Sequence, residues 1–351
     1  MAEGSVNLIH GRHVLRAAGL KPARFSFHLL RHGVWYNTQV KMKRNFYLVW
    51  LNWPERCFRA GAAEVALLES IAPKGSRIVR VADERAFLRK LPEATHAIVW
   101  NFKREWFAAA TRLKVLATPA AGRELVPADG PPGVTIHFGG FHGQIMAESV
   151  TAFVLAWSRG FFRPELRSIA WPRTELSDVC TEVSGTKAVI VGYGRVGRAI
   201  GEKLGALGIS VAGVTRHGIF ADGKKLARPS LRKLLASADW CILALPSDTG
   251  TDDWLNADRI AMLPRRCVVV NVGRGNAVDE RALFAALKSN RLAGAYLDVR
   301  KHEPSATVLE APGYEPKLAN LDNCIAMPHS AAFSPRYLER CILELKDEGL
   351  V

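Results

Sequence analysis

The sequence predicts an α/β protein built from two doubly wound parallel sheets. Two observations support this prediction. Short apolar runs of β-type residues alternate along the chain with helix-like patterns, and strand alternating with helix is typical of parallel sheets with helices on both faces. One of these runs, residues 188–191, opens directly into glycines at Gly192, Gly194 and Gly197, which indicates a tight strand-to-helix junction.

The first half of the chain reads as one α/β unit. Strands are expected at NFYLVWLNW, SRIVRVA, THAIVWNF and LKVLATPAAG, with an amphipathic helix at GAAEVALLESI. The run IMAESVTAFVLAWSRGFF predicts a long apolar helix, too polar at Glu148 and Ser149 to cross a membrane. We expect this helix to be buried between two domains and to carry the chain from one to the other.

The second half repeats the alternation of strand and helix. Expected strands are AVIV, SVAGVT, CILALP, CVVVNVG, AGAYLDV and CIAMPH, and helical patterns lie between them at RPSLRKLLASA, NADRIAMLP and ERALFAALKSN. Ligands of such sheets bind beyond the carboxyl ends of the strands. Polar residues at those ends are therefore the candidates for chemistry.

The Gly-x-Gly-x-x-Gly junction predicts a site for the pyrophosphate of a dinucleotide. Gly192 makes the tight turn, Gly194 allows close approach of the backbone, and Gly197 lets the helix pack against the strand, while the helix N-terminus offers a positive dipole. An acid usually follows about 20 residues later to bind the ribose. Thr215 stands there instead, followed by Arg216 and His217. This pattern favours NADP(H), with NAD(H) still possible.

These patterns predict three regions. Residues 1–44 form a basic N-terminal extension, residues 45–168 with 322–351 form a flavodoxin-like substrate domain, and residues 169–321 form a Rossmann domain inserted into it. The extension has one acid, Glu3, against the cations Arg12, Arg16, Lys21, Arg24, Arg31, Lys41, Lys43 and Arg44. A transit peptide, a basic arm and upstream sequence after a mistaken start codon all fit it; we favour the last, because Met42 leads naturally into the first strand.

Charge and cysteine usage narrow the function classes. A net charge of +15 is compatible with nucleic acid, but the charges are spread without an RNA or DNA motif, and they suit anionic small molecules equally well. The six cysteines include no Cys-x-x-Cys pair, so we expect reduced thiols and no metal site. With neither a membrane-length apolar run nor a signal-peptide core, we expect a cytoplasmic protein.

Three polar residues follow predicted strand ends at Arg274, Glu303 and His329. A guanidinium can hold the carboxylate of a 2-oxo acid with two parallel hydrogen bonds. An imidazolium can donate a proton to the carbonyl oxygen during reduction, and a neighbouring carboxylate favours that charged form. Each residue alone is equally compatible with a structural role; their joint position after a dinucleotide turn indicates a catalytic set.

The segments VGYGRVGRAIGEKLGALG, NVGRGNAVDERALFAAL, AGAYLDVRKHEP and MPHSAA resemble the D-isomer-specific 2-hydroxyacid dehydrogenases, over residues 45–351. The resemblance implies a substrate-binding Arg274, a proton-relay pair of Glu303 and His329, and a homodimer that transfers hydride between a nicotinamide cofactor and a 2-oxo acid or D-2-hydroxy acid. Reduction is the expected direction because of the NADP(H) preference, since cells usually keep this cofactor reduced. It also implies that the turn at Ala120, Ala121 and Gly122 binds the substrate carboxylate. It places Pro246 and Thr251 along the cofactor. The full set of predicted cofactor-binding residues is Gly192, Tyr193, Gly194, Arg195, Val196, Gly197, Thr215, Arg216, His217, Pro246, Thr251, Val272, Gly273 and Asp298.

The chain departs from the family pattern at three places. His142 stands where the family often has Asn, Arg300 replaces the usual aromatic after LDV, and the C-terminal helix is short for one that must return to the first domain. Two alternatives stay open. A formate dehydrogenase-like enzyme is disfavoured because that branch has Gln in place of Glu303, and a cofactor-sensing corepressor-like scaffold is disfavoured by the complete catalytic set.

Overall fold

Five parallel strands form the first sheet of the computed structural model, which describes residues 45–163, 166, 170–221, 224–225, 230–303 and 317–351. The strands are β1 (Phe46–Trp50), β2 (Arg77–Arg80), β3 (His96–Val99), β4 (Val115–Thr118) and β5 (Thr135–Phe138), and their order across the sheet is β2-β1-β3-β4-β5. This is the flavodoxin-like order. The predicted extension, residues 1–44, lies outside the described residues.

Helices cover this sheet on both faces. Helix α1 (Ala62–Ile71) follows β1, and α2 (Glu84–Lys90) follows β2, with the Asp83 carboxylate accepting a hydrogen bond from the Ala86 N–H as its N-cap. One face packs around Phe87 and Leu91, and the other packs around Leu68. All four residues of β3 are buried, as expected for a central parallel strand.

Helix α3 (His142–Ser158) leads the chain from the first sheet to the second. Its first turn contributes Ile145 to the core of the first sheet, and Val150 and Val154 pack in a core of the second. The prediction of a buried connecting helix is confirmed, although the helix begins earlier and ends at Ser158. Gly160, with a φ of +73°, takes the left-handed conformation that commonly follows a helix end.

The second sheet has eight strands in the order β13-β12-β11-β10-β6-β7-β8-β9. They are β6 (Lys187–Val191), β7 (Ser210–Thr215), β8 (Gly218–Ala221), β9 (Lys224–Lys225), β10 (Trp240–Leu243), β11 (Val268–Asn271), β12 (Gly294–Leu297) and β13 (Cys324–Ala326). All pairs are parallel except those of β8, which runs antiparallel to β7 and to β9. The strand order reverses between β6 and β10, where a doubly wound sheet opens a crevice for its ligand.

The remaining helices are α4 (Arg173–Val179), α5 (Arg195–Ala206), α6 (Leu231–Ser237), α7 (Ala257–Met262), α8 (Glu280–Lys288) and α9 (Tyr337–Asp347). Despite its shortness, α9 returns to the first sheet, where Leu338, Ile342 and Leu345 are buried in the same core as Leu68 of α1. Burying each of these side chains contributes roughly 1.5–3 kcal/mol.

The predicted α/β fold class is confirmed, with a parallel first sheet of flavodoxin-like order and a doubly wound second sheet that is parallel except for the pairs of β8. The structure adds elements that the sequence patterns did not indicate: α2, α4, β5 and the β8–β9 hairpin. The predicted domain limits, at 168/169 and 321/322, stay a prediction. Within the described residues, no helix combines the length and apolar character needed to span a membrane.

Candidate active site

Two positions of the glycine turn after β6 leave no room for a side chain. Gly192 has a φ of +90°, and a Cβ there would collide with the backbone of Ala244. A Cβ at Gly197 would collide with the Gly192 carbonyl oxygen, whereas Gly194, the N-cap of α5, faces open space. These features form the open, positively polarised helix N-terminus that a pyrophosphate requires. The residues present therefore fit a dinucleotide.

A cleft of about 580 Å³ lies in front of this turn. The first sheet contributes the loops after β4 and β5, and the second sheet contributes the glycine turn and the loops after β10 and β11. Its lining residues are Ala121, Gly122, Arg123, Glu124, Phe138, Gly139, Gly140, His142, Met146, Gly192, Gly194, Arg195, Val196, Ala244, Leu245, Pro246, Ser247, Val272, Gly273 and Arg274. The cleft therefore joins the predicted cofactor turn to the predicted substrate loop.

The second strand of the nucleotide unit ends in a tight hairpin. Thr215 pairs with Gly218 across the turn, and the Thr215 hydroxyl donates to the Gly218 carbonyl at 3.0 Å and accepts from the His217 N–H at 3.1 Å. Arg216 and His217 are exposed at the tip. The position usually held by an acid thus carries an internally bonded threonine beside an exposed cation.

Arg274 reaches from the end of β11 to the substrate loop. Its Nη1 donates to the Gly273 carbonyl at 3.0 Å, and its Nε donates to Oε1 of Glu124 at 3.2 Å. A Cβ on Gly122 would collide with Nη2, so the guanidinium lies directly over that glycine. Asn271 shapes the turn, because its side chain bonds both the Gly273 N–H and the Arg274 carbonyl.

His329 and Glu303 form a hydrogen-bonded pair. The Nδ1 of His329 lies 2.8 Å from Oε2 of Glu303, while Oε1 of Glu303 accepts from the Arg300 N–H at 3.0 Å. The hydrogen bond that His329 donates to Glu303 raises the pKa of His329, whereas burial and the charge of Arg274 act in the opposite direction. Burial alone would raise the pKa of Glu303, but its contacts with His329 lower it. The pair is therefore a carboxylate that stabilises a protonated imidazole.

The backbone of His329 is held in a conformation that residues other than glycine rarely adopt, with a φ of +54°. The His329 N–H donates to the Asp298 carbonyl at 2.8 Å. The buried Asp298 carboxylate accepts from the N–H groups of Ser330, at 2.9 Å, and Ala331, at 3.0 Å. These bonds fix the turn that presents the imidazole, and with one nitrogen on Glu303 they leave Nε2 for a substrate.

A family model for the D-isomer specific 2-hydroxyacid dehydrogenase NAD-binding domain matches residues 151–331, more than half of the chain. The chain belongs to this family. It is therefore an oxidoreductase that acts on the CH–OH group of a 2-hydroxy acid with a nicotinamide cofactor.

Individual relatives of this family member agree with that assignment. A glyoxylate reductase of Thermococcus kodakarensis is 28% identical over 288 residues, which cover 75% of this chain and 79% of the relative. D-3-phosphoglycerate dehydrogenase 1 of Saccharomyces cerevisiae is 31% identical over 195 residues, which cover 54% and 41%. A solved D-isomer specific 2-hydroxyacid dehydrogenase of Xanthobacter autotrophicus, in complex with NADPH and MES, superimposes with a TM-score of 0.66 at 27% identity, covering 86% of this chain and 95% of that one.

The structure of this dehydrogenase brings part of the predicted set to the cleft, namely Ala121, Gly122, Gly192, Gly194, Arg195, Val196, Pro246, Val272, Gly273 and Arg274. Its lining does not include Gly197, Thr215, Arg216, His217, Glu303 or His329, although the charge of Arg274 acts on both Glu303 and His329. The Tyr193 ring packs against Gly213 and Gly201, between β7 and α5. The Thr251 hydroxyl donates to the Pro246 carbonyl at 2.8 Å and so stabilises the loop after β10. Asp298 is buried beneath His329, as described above. These three side chains do not line the cleft, so the predicted cofactor contacts of Tyr193, Thr251 and Asp298 lack support from their side-chain positions.

Residues that sequence reasoning did not assign to the site also shape it. Glu124 pairs with Arg274, and buried His142 lines the cleft with its Nε2 2.7 Å from the Tyr337 hydroxyl. Burial lowers the pKa of His142 to about 4, so this ring is neutral near pH 7. Only the departure of His142 from the family pattern gave a signal in the sequence. Glu124 gave none, because its partner is 150 residues away.

Arg300, the other departure from the family pattern, supports the site from beneath. Its buried guanidinium binds the Glu280 carboxylate of α8 through Nε at 3.1 Å and Nη2 at 3.3 Å. The Lys301 N–H donates to the same carboxylate at 2.8 Å. Because the Arg300 N–H also binds Glu303, these contacts anchor the backbone that presents the relay carboxylate. The replacement of an aromatic by Arg300 is therefore accommodated by Glu280.

The aromatic residues after β3 belong to the core of the first sheet. Trp100, Phe102 and Trp106 are each at most 8% exposed. Nearby Lys103 and Arg104 form surface ion pairs with Glu84 and Asp129. Neither set provides a subsite for an aromatic side chain or for a second anion of the substrate.

Proposed function

We propose that this dehydrogenase is an NADPH-dependent reductase of small 2-oxo acids. The observation that carries the proposal is the hydrogen bond of 2.8 Å between Nδ1 of His329 and Oε2 of Glu303, with Arg274 close enough to influence the pKa of both. A proton donor, its stabilising carboxylate and a carboxylate clamp are the three groups that reduction of a 2-oxo acid needs from a protein.

The proposed cofactor site runs from the glycine turn to the hairpin tip. Its support is the glycine-only geometry at Gly192 and Gly197 together with the open helix N-terminus. Preference for NADP(H) is supported by the exposed Arg216 beside Thr215, since no carboxylate at that strand end repels a 2′-phosphate. NADH stays a possible second cofactor. The remaining proposed contacts are made by residues that line the cleft, namely Arg195, Val196, Pro246, Val272 and Gly273.

When bound, the reduced cofactor supplies hydride to the carbonyl carbon. We assign the substrate carboxylate to Nη2 of Arg274, which has no partner among the described residues, and to the backbone N–H groups of Ala121 and Gly122. His329 donates its proton from Nε2 to the carbonyl oxygen. Glu303 holds the imidazolium in place and favours its charged form until that transfer.

Assembly and location are part of the same proposal. A homodimer is supported by two large aromatic side chains that are exposed to solvent, Phe161 at 69% and Trp171 at 79%, since exposed apolar groups often mark a protein–protein interface. A cytoplasmic, reducing environment is supported by the six cysteines, which are all unpaired, four of them buried. Sedimentation of the purified chain tests the dimer directly.

The decisive experiment is a steady-state screen of NADPH and NADH against glyoxylate, hydroxypyruvate, pyruvate, phenylpyruvate and branched 2-oxo acids. We expect turnover with at least one small acid, and a higher kcat/KM with NADPH. Tight NADPH binding without turnover of any acid would refute the proposed reductase function and would favour a cofactor-sensing scaffold.

A further inference from the structure

The substrate loop places a carboxylate beside the substrate clamp. Glu124 lies in the loop after β4 and lines the cleft, with Oε1 3.2 Å from Nε of Arg274. Its side chain is 54% exposed, so it is accessible from the cleft and is not merely part of the buried support. A substrate whose carboxylate binds Arg274 therefore meets a second, fixed carboxylate at the same guanidinium.

Glu124 is ionised when the enzyme binds its substrate. Burial alone would raise the pKa of this carboxyl, but the charge and hydrogen bond of Arg274, with a smaller contribution from His329, lower it below its usual value. The charges of Arg274 and Glu124 cancel in the resting site. The charges of the protonated His329 and of Glu303 cancel in the same way, so these four groups leave no net positive charge for a second anion.

The other cations near the cleft are engaged elsewhere. The Arg123 guanidinium lies 5.5 Å from the centre of the Phe138 ring, and Arg195 pairs with Glu344 of α9 at 3.6 Å. The charges that lower the pKa of Glu124 are those of Arg274 and His329. Arg195 is therefore ion-paired with α9, and Arg123, although it lines the cleft, has its guanidinium over the Phe138 ring.

We propose that Glu124 is a specificity-determining residue that restricts this site to monoanionic 2-oxo acids and excludes those with a second carboxylate or a phosphate. Its negative charge repels a second anion that comes close to it. The same oxygens accept hydrogen bonds from a neutral substituent such as the C3 hydroxyl of hydroxypyruvate. The inference rests on the proposed reductase function and names its substrate class.

Paired substrates of equal shape test this inference. Oxaloacetate and 4-methyl-2-oxopentanoate differ in a carboxylate that replaces an isopropyl group of similar outline. We expect the wild-type enzyme to favour the monoanion by at least about tenfold in kcat/KM, because the second carboxylate of oxaloacetate would lie beside the like charge of Glu124. Glu124→Gln keeps the size and an oxygen acceptor for Arg274 but removes the charge, so this ratio should fall by roughly tenfold.

A matched variant controls for the overall charge of the protein. Asp129 lies in the same loop and pairs with Arg104 at 2.6 Å, but its side chain is 78% exposed and is not part of the cleft lining. Asp129→Asn should leave the ratio unchanged. If Glu124→Gln lowers the efficiency for both acids equally, Glu124 only holds Arg274 in position, and the specificity role is refuted. An unchanged ratio in Glu124→Gln refutes it as well.

A binding measurement separates failure of this inference from failure of the proposed function. Oxamate and oxalate have nearly the same shape, but oxalate carries a second negative charge. Titration of each into the NADPH-bound protein, followed by NADPH fluorescence, should show weaker oxalate binding in the wild type and a smaller difference in Glu124→Gln. If the wild type binds oxamate more tightly than oxalate, and this difference shrinks in Glu124→Gln, yet the wild type reduces no 2-oxo acid, the function is wrong while the charge selection stands. Equal affinity for both in the wild type overturns the charge selection, whatever the enzyme reduces.

Discussion

The two sides of the cleft are built in different ways. On the cofactor side, Gly192, Gly194 and Gly197 lie within six residues of one another, and their geometry follows from local backbone sterics. On the substrate side, Arg274 meets Glu124 across 150 residues, and His142 meets Tyr337 across 195. One side is encoded by adjacent residues and the other by pairs that only the fold brings together. Variants of the two sides should therefore fail in different ways.

The largest expected effect is on chemistry without any effect on cofactor binding. In His329→Ala the proton donor is lost, and we expect kcat to fall by about 100-fold or more. The glycine turn lies in a different loop, so the Kd for NADPH should stay near the wild-type value. Stopped-flow turnover and a fluorescence titration measure the two quantities. Loss of NADPH affinity together with kcat would show that the two sides are not independent.

The next largest effect concerns the clamp. Arg274→Lys replaces a planar fork by a point charge that cannot bind Gly273, Glu124 and a carboxylate at once. Losing one charge-assisted hydrogen bond costs about 1.5–3 kcal/mol, so kcat/KM should fall roughly 10- to 100-fold. Steady-state kinetics with the best acid of the screen measure this change. Full efficiency in the lysine variant would exclude a bidentate clamp.

Prediction from sequence succeeded where a short pattern determines the structure. The strands β10, β11 and β12 are fully buried and, apart from Asn271, contain no polar side chain in the run, and the glycine turn has its own spacing. It failed at β5, which is only partly buried at the edge of its sheet, and at the β8–β9 hairpin, whose antiparallel pairing departs from the alternating pattern. Glu124 and Glu280 were missed for a different reason, because an ion pair between distant residues leaves no periodicity in either segment.

A smaller effect is expected at the hairpin tip. Thr215→Asp with Arg216→Ala introduces an acceptor for the ribose hydroxyls and removes the cation, so the preference for NADPH over NADH should fall by about tenfold, the equivalent of ~1.4 kcal/mol. The ratio of the two kcat/KM values is the measurement, with each single substitution as a control. A ratio that does not move would mean that the tip does not contact the adenosine ribose, and the NADP(H) preference would lose its support.

The last effect is a displacement along the pH axis. The pKa of His329 is raised, mainly by its hydrogen bond to Glu303, so the imidazolium that reduction requires persists to higher pH and is lost as the pH rises through that raised value. Glu303→Gln removes the charge and weakens the bond, which lowers the pKa of His329. The alkaline limit of kcat/KM for reduction should therefore move to lower pH, while kcat/KM at acidic pH changes less. Glu339→Gln, at a carboxylate that pairs with Arg336 at the start of α9, is the matched control and should leave the profile unchanged. An alkaline limit that stays in place in Glu303→Gln would separate this carboxylate from the proton donor and would leave Glu303 with a purely structural bond to the Arg300 N–H.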